Sequence, residues 1–314
     1  MEKKAIFSLK VDKLSQNIIY LLSLNSRTTI SEISKILHKS RKIVENRYNK
    51  LFENNLISPL LVYNVDKRVK ATILIELSTM DRAAINAIND FKRIVKLKET
   101  LGSYDFSILV AYSSDFELNK ILNKINLKFK NKIKNIDVLV HDFEDTLGYK
   151  SFCNDISLIS RYVFNKPTQK KIISTTEDKI LDEIITKPDA SYVDMIKKTN
   201  LSYKQIKRAI DNLINSHMIR FTIDPDYNKL GLEFHNILIR INKVKQKEFE
   251  KNIIKNSRVH WIKRSSGRWD YILSVTSRNI SDFIQITHQI REKNSKYIFD
   301  FSFLISKINI TRQY

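Results

Sequence analysis

Apolar residues recur along this chain with two different periods, and the switch between them divides it. Leu14, Ile18, Ile19, Leu21 and Leu22 are spaced as on one face of a helix, which predicts a helix over residues 13–24. Ile30, Ile33, Ile36 and Leu37 predict a second, short helix, capped by Thr28 or Thr29 with Glu32 in capping-box range. Ser40 is placed to cap a third, from Arg41 to about Asn54, with Ile43, Val44, Tyr48, Leu51 and Phe52 as its inner stripe. Ile57 to Tyr63 then alternates, as a wing strand does. Strands at 72–77, 95–98, 105–112 and 137–140, with amphipathic helices at 81–91 and 115–125 between them, follow in the order β-α-β-β-α-β.

The whole pattern then recurs. A shift of 162 residues lays the first predicted helix on 179–184, Ser40 on Ser202 and Leu51 on Leu213. A shift of 165 lays Gly102-Ser-Tyr-Asp105 on Gly267-Arg-Trp-Asp270 and Ile125 on Ile290. Register held over about 125 positions points to two copies of one unit. The expected fold class is α+β: two tandem units, each a winged helix-turn-helix followed by a ferredoxin-like βαββαβ domain. The expected divisions are 1–66 and 67–142 for the first copy, 143–175 as connecting segment and linker, and 176–228 and 229–314 for the second. Within the connecting segment, Asn165 to Lys171 reads as the true linker. Asp224-Pro225-Asp226 reads as the turn that ends the second wing. Each sheet has helices on one face only, so the other is expected to pack sheet against sheet, between copies or between chains.

Basic residues change the picture from fold to partner. Lys and Arg number 55 against 34 Asp and Glu, a net +21, which favours a polyanion as partner. Two short helices joined by a tight turn, with basic residues early on the second, match the geometry that enters a DNA major groove. The candidate DNA-contacting residues are Ser40, Arg41, Lys42, Asn46, Arg47 and Lys50 in the first copy, and Ser202, Lys204, Gln205, Lys207 and Arg208 in the second. Asn46 and Gln205 carry amides suited to base edges, while the cations suit phosphates. Lys120, Lys124, Lys128, Lys130, Lys132 and Lys134 form a run without acidic residues, which would serve a sequence-blind architectural DNA binder or simply a solvated face.

Composition also excludes. Four glycines in 314 residues, with no GxGxxG or GxxxxGK[ST] pattern, leave no phosphate-cradling loop. The single cysteine, Cys153, makes neither an internal disulfide nor a Cys-rich zinc site, and no metal or cofactor is expected. No apolar run approaches the roughly 18 residues of a membrane span, so a cytoplasmic, nucleoid-associated protein is expected. The two GxxD turns read as β-turns in which the Asp holds backbone amides, or as seats for a small effector at Gly102, Asp105, Gly267 and Asp270.

Taken in order, each copy resembles the Lrp/AsnC family of feast/famine regulators. The resemblance rests on the run Ile219 to Gly231, with Asp224-Pro225-Asp226-Tyr227-Asn228-Lys229-Leu230-Gly231, and on the two GxxD turns. It implies a sequence-specific transcription regulator that binds double-stranded DNA, pairs as a homo-oligomer or as an intramolecular pseudo-dimer, and answers to an amino acid or other small effector. Asn55 and His217 replace the family's usual glycine before the wing, and Asn64-Val65-Asp66-Lys67 departs from its connector. Siroheme decarboxylases are similar in domain order, and Val259-His260-Trp261-Ile262-Lys263-Arg264 is similar to their His/Arg-bearing strand. There His260 would donate a proton and Lys263 or Arg264 would hold propionates. The first copy has Val95-Lys96-Leu97-Lys98 without a histidine, and the expectation from sequence is a regulator that is not an enzyme.

Overall fold

The computed structural model describes residues 11–65, 69–89, 91, 93–153, 155–159 and 173–311. Asp66 and Lys67 of the connector and the predicted linker at Asn165 to Lys171 lie outside the described residues. The chain opens with three helices, α1 (Lys13–Leu24), α2 (Ile30–Leu37) and α3 (Arg41–Glu53). Thr29 and Glu32 close a capping box on α2, and the Ser40 hydroxyl accepts from the Ile43 amide at the head of α3. Of the predicted stripe on α3, Val44 and Leu51 are buried, but Ile43 stands 47% exposed. Asn55 adopts a left-handed backbone with φ near 50°, so the turn the family makes with glycine is made here by an asparagine, a residue that tolerates it.

Strand β1 (Ile57–Tyr63) leads into β2 (Val69–Leu77), α4 (Arg82–Asn89), β3 (Ile94–Gly102), β4 (Phe106–Tyr112), α5 (Asp115–Phe129) and β5 (Ile133–Thr146). After the short α6 (Ile156–Ile159), a second helical triad appears: α7 (Thr175–Thr186), α8 (Tyr192–Thr199) and α9 (Tyr203–Asn215). The chain ends with β6 (Ile219–Pro225), β7 (Glu233–Ile241), α10 (Gln246–Lys255), β8 (Val259–Ser266), β9 (Tyr271–Ser277), α11 (Ile280–Lys293) and β10 (Ile298–Thr311). Among the described residues no helix is long and apolar enough to cross a membrane. Among them, too, no group of three or more His, Cys, Asp or Glu is placed to hold a metal ion.

The expectation of two separate ferredoxin-like domains is corrected by how the strands pair. All eight strands from β2 to β5 and β7 to β10 close into one barrel, in the order β10-β3-β4-β2-β5-β8-β9-β7. β5 and β10 are the reason. Each runs for 14 residues, past the 137–140 and 299–305 that alternation predicts for them, and each changes partner along the way. β5 pairs with β2 up to Val140 and with β8 from there to Thr146. β10 pairs with β7 up to Ile305 and with β3 from Leu304 to Thr311. An open four-stranded sheet would leave unpaired amides and carbonyls along its edges; joining edge to edge satisfies both at once. The faces expected to stack sheet on sheet instead line the barrel's interior. Outside, α4 and α5 cover one half around Ile73, Ile108 and Phe129, and α10 and α11 cover the other around Ile237, Phe249 and Phe283.

The predicted wings are also not what the alternation alone suggested. β1 and β6 pair with each other, antiparallel from Ile57↔Pro225 to Tyr63↔Ile219, in a sheet of two strands. Asp224 and Pro225 belong to β6 itself, and the turn follows at 226–231. This sheet ties the two triads together: Ile223 joins the core of the first, and Leu61 joins the core of the second. Below it, Tyr149 and Phe152 from the segment after β5 are fully enclosed. The Tyr149 hydroxyl accepts from Trp261 Nε1 at 3.2 Å and lies 2.9 Å from the Tyr227 hydroxyl, fixing the helical part to the barrel.

Candidate functional site: a cationic cavity within the barrel

Every barrel strand contributes to a cavity of about 630 Å³, roofed by Ser58, Pro59, Leu60 and Leu61 of β1 and by residues 185–189, the end of α7 and the turn after it. That volume is in the range of sites that enclose drug-sized ligands. Its wall follows from strand alternation. Residues whose side chains point away from the covering helices point into the barrel, and here they are Thr72, Ser107, Asn236, Trp261, Ile272 and Ser274 together with several cations. Lys70, Arg93, Lys96, Lys98, Lys187 and Lys263 face it, against Glu144, Asp189 and Asp224.

These charges are unequally satisfied. Glu144 has Lys70 Nζ at 3.5 Å, Lys263 Nζ at 3.9 Å and His141 Nδ1 at 3.5 Å from its Oε2. That oxygen is nevertheless buried without a hydrogen bond of good geometry. Burial pushes the Glu144 carboxyl up, but Lys263 and Lys70 outweigh it and hold the group well below the usual carboxylate range. Burial pushes His141 down to about 4, against Glu144, so the ring is neutral and shares a 2.9 Å hydrogen bond with Thr72. Lys96 has Asp224 at 3.8 Å. Lys98 has no carboxylate within ion-pair distance among the described residues. Its ammonium position lies 3.9 Å from the centre of the Phe234 ring, and burial, with Lys96 and Lys263 nearby, pushes the amine well below its ordinary value.

His260 does not take part. It is fully buried outside the cavity lining, with Nε2 2.7 Å from Thr276 Oγ1 and Nδ1 3.4 Å from the Gly148 carbonyl. Burial drives its pKa down to about 3. Held by Thr276 and the Gly148 carbonyl, the ring does not face the cavity, where the proton donor read from sequence would have to stand. Lys263 does face the cavity, whereas Arg264 turns towards Asp142 and Glu250.

The effector residues read from the GxxD turns lie elsewhere. Asp105 accepts from the Leu77 amide at 2.7 Å and Asp270 from the Ile241 amide at 2.9 Å, so both carboxylates pin strand ends. Gly102 and Gly267 have φ of 130° and 143°, and each lies against the opposite strand: a Cβ on Gly102 would meet the Phe303 carbonyl, and one on Gly267 would come to 2.7 Å from that of Val138. The two turns touch, with Trp269 Nε1 donating to the Tyr104 hydroxyl at 3.0 Å. A shallow polar hollow of about 370 Å³ lies beside them, bordered by Ser103, Tyr104, Arg268 and Trp269 but by none of the four predicted effector residues.

The predicted DNA-contacting residues run from the caps Ser40 and Ser202 along α3 as far as its last turn at Lys50, and over the first half of α9. Ser40, Arg41, Lys42, Asn46 and Lys50 are exposed, as are Ser202, Lys204, Gln205, Lys207 and Arg208. Arg47 is partly turned inward by a 2.7 Å ion pair with Asp12. The Gln205 side-chain carbonyl is engaged by the Ser202 backbone amide and hydroxyl, at 2.9 and 2.8 Å, in a capping box. In the lysine run, Lys132 and Lys134 are paired with Asp81 and Glu76. The cavity was the feature sequence reasoning missed. Its signal was lysines alternating with apolar residues in Val95-Lys96-Leu97-Lys98, on a strand face that no helix covers.

No known family profile matches the chain. It is 26% identical over 129 residues to an uncharacterised HTH-type transcriptional regulator of Pyrococcus abyssi, covering 39% of this chain and 86% of that protein. A like regulator of Pyrococcus horikoshii is 23% identical over 137 residues, 42% of this chain and 92% of that protein. The crystal structure of the siroheme decarboxylase NirDL superposes with a TM-score of 0.58 at 11% identity, over 96% of this chain and 93% of that one. The same enzyme in complex with an iron-uroporphyrin III analogue gives 0.58 at 10% identity, over 96% and 94%. The expectation that the chain is not an enzyme is therefore overturned as an argument from fold: this fold, over nearly the whole chain, is also that of a decarboxylase. The chain has partial homology to HTH-type regulators and the overall fold of a siroheme decarboxylase.

Proposed function

We propose that the barrel cavity binds a large, multiply carboxylated ligand of the tetrapyrrole class, and that the chain acts on its carboxylates as a decarboxylase. One observation carries this reading. A cavity of about 630 Å³, walled by apolar and neutral polar side chains, gathers the buried Lys70 and Lys98 with the partly buried Lys96 and Lys263, against Glu144 and Asp224. Lysines gathered in a desolvated space favour an anion that enters it, because one carboxylate, Glu144, serves both Lys70 and Lys263. The NirDL likeness supports the choice of ligand class. The cations would seat carboxylates, and the enclosing wall would exclude water around the bond that breaks. Since His260 is out of reach, the proton for the product carbon would come from the cavity's own groups. The test is titration with iron-uroporphyrin III, followed by its visible absorbance, and anaerobic incubation with siroheme, followed by mass. Saturable binding weakened by Lys96→Met or Lys263→Met, with loss of CO2 from siroheme, supports the reading. An unperturbed spectrum refutes it.

A second reading is favoured by the exposed basic residues of α3 and α9 and by the partial homology to HTH-type regulators: the triads bind duplex DNA. Salt-dependent gel shifts would separate a promoter-selective regulator from a sequence-blind binder, whose affinity falls steeply with salt on all sequences alike. Substituting Arg41, Lys42 and Arg47 together, and Lys204, Lys207 and Arg208 together, would assign the reading helix. Unchanged binding in both variants would exclude these helices.

A further inference from the structure

Lys98 is a primary amine inside a closed barrel, 6% exposed, facing the cavity and flanked by an aromatic ring. Its backbone partner across the seam is Asn309, whereas the corresponding partner of Lys263 is Glu144. Both lysines face the same space, but only Lys263 has a carboxylate beside it. Lys96, from the same strand as Lys98, brings another positive charge. Asp224 also faces this space but lies against Lys96, so burial and the two cations outweigh it at Lys98. Such an amine is poorly placed to hold a proton and well placed to use its lone pair.

We propose that Lys98 is a covalent anchor, forming an imine with an aldehyde or ketone carried on an anionic ligand. The nitrogen lone pair adds to the carbonyl carbon to give a carbinolamine. The former carbonyl oxygen then leaves as water, taking both amine hydrogens, and a C=N bond remains. No oxidant or reductant is consumed. Lys96 and Lys263 hold the ligand's anionic group while the amine reacts. This anchor uses the same cavity as the tetrapyrrole reading but does not depend on it, because its test contains no tetrapyrrole.

The burial and the neighbouring cations both favour the unprotonated amine. An exposed lysine at pH 7 is unprotonated in about one molecule in 2,500, and each unit by which the pKa falls raises that fraction roughly tenfold. Lys98 should therefore outcompete the many surface lysines for a limiting carbonyl.

Pyridoxal 5′-phosphate, a flat anionic aldehyde, is the probe. The full chain is mixed with one equivalent at pH 7, the imine is reduced with borohydride, and the pyridoxyl group is located by peptide mapping. The expected result is a single labelled site at Lys98, lost in Lys98→Arg with the far-ultraviolet circular dichroism unchanged. The wild-type map decides the matter even if that variant fails to fold. Label spread over exposed lysines such as Lys243, with Lys98 unmodified, overturns the proposal. Failure of the tetrapyrrole titration alongside specific labelling of Lys98 would remove the decarboxylase reading and leave this one standing.

Discussion

Two seams close the barrel, and they are built differently. At one, β5 meets β8, and the register sets Glu144 opposite Lys263 with Lys70 and His141 gathered on the same carboxylate. At the other, β3 meets β10, and the register sets Asn309 opposite Lys98. Backbone pairing is alike at both, each with one irregularity in register. Chemistry is not. The first seam carries its own counter-ion and is electrostatically closed; the second leaves an amine for whatever enters the cavity. The lesson is that a β-scaffold fixes which residues meet, while a carboxylate placed beside the lysine, as Glu144 is beside Lys263, decides whether the place is structural or receptive.

The harshest way to probe the seams is at their glycines. Gly102→Ala and Gly267→Ala each place a methyl group against a carbonyl of the opposing strand in a backbone with φ above 100°. Strain and overpacking together should cost about 4 kcal/mol in either case, read by guanidinium unfolding. A variant that loses less than about 1 kcal/mol would mean that its seam opens easily and that closure is not shared equally.

A gentler probe exchanges the charges. Glu144→Gln leaves Lys70 and Lys263 beside an uncharged amide and should lower stability by about 3 kcal/mol. Lys98→Met removes an amine that has no counter-ion and should raise it by about 1 kcal/mol. Opposite signs support the contrast between the seams, and equal losses would abolish it.

Acid sensitivity can be read ring by ring: His141 and His260 lie at the β5–β8 seam, while His235, also pushed down by burial, lies on β7 beside β10. Both seam rings are held neutral by burial, to about 4 for His141 and about 3 for His260. Below pH 6.5 the unfolded chain binds protons that the folded chain refuses, so stability falls as pH falls through the window from 6.5 to about 4. Each histidine contributes roughly 1.4 kcal/mol per pH unit there. His260→Gln should remove that ring's own share, roughly 1.4 kcal/mol per pH unit, from the slope of unfolding titrations between pH 6 and pH 4. A slope that does not change would mean that His260 is charged in the folded chain.

How much of this was legible beforehand depended on distance along the chain. Helices came through well, because Thr29 and Glu32 cap α2 and Ser202 and Gln205 cap α9 by rules that span three residues. The order of strands and helices also came through, as did the holding of backbone amides by Asp105 and Asp270. Strand pairing did not. Nothing in Ile57 to Tyr63 says that its partner is Ile219 to Pro225, and alternation suits an isolated wing as well as a shared sheet. The outer halves of β5 and β10 were missed for a related reason: His141-Asp142 and Ser306-Lys307 read as polar ends when each strand is taken alone. The cavity stayed hidden because lysines on a strand read as solvent-facing. They face inward only once the barrel is closed.

That both seams belong to a single chain has a consequence of its own. A barrel made from two identical subunits is bound by its twofold axis, so an acid placed opposite one lysine must stand opposite both, and a site on the axis can be vacant or neutralised only in duplicate. One polypeptide that closes the ring with its own ends escapes that symmetry. Each seam can then drift independently, and the ring's integrity no longer depends on how concentrated the protein is.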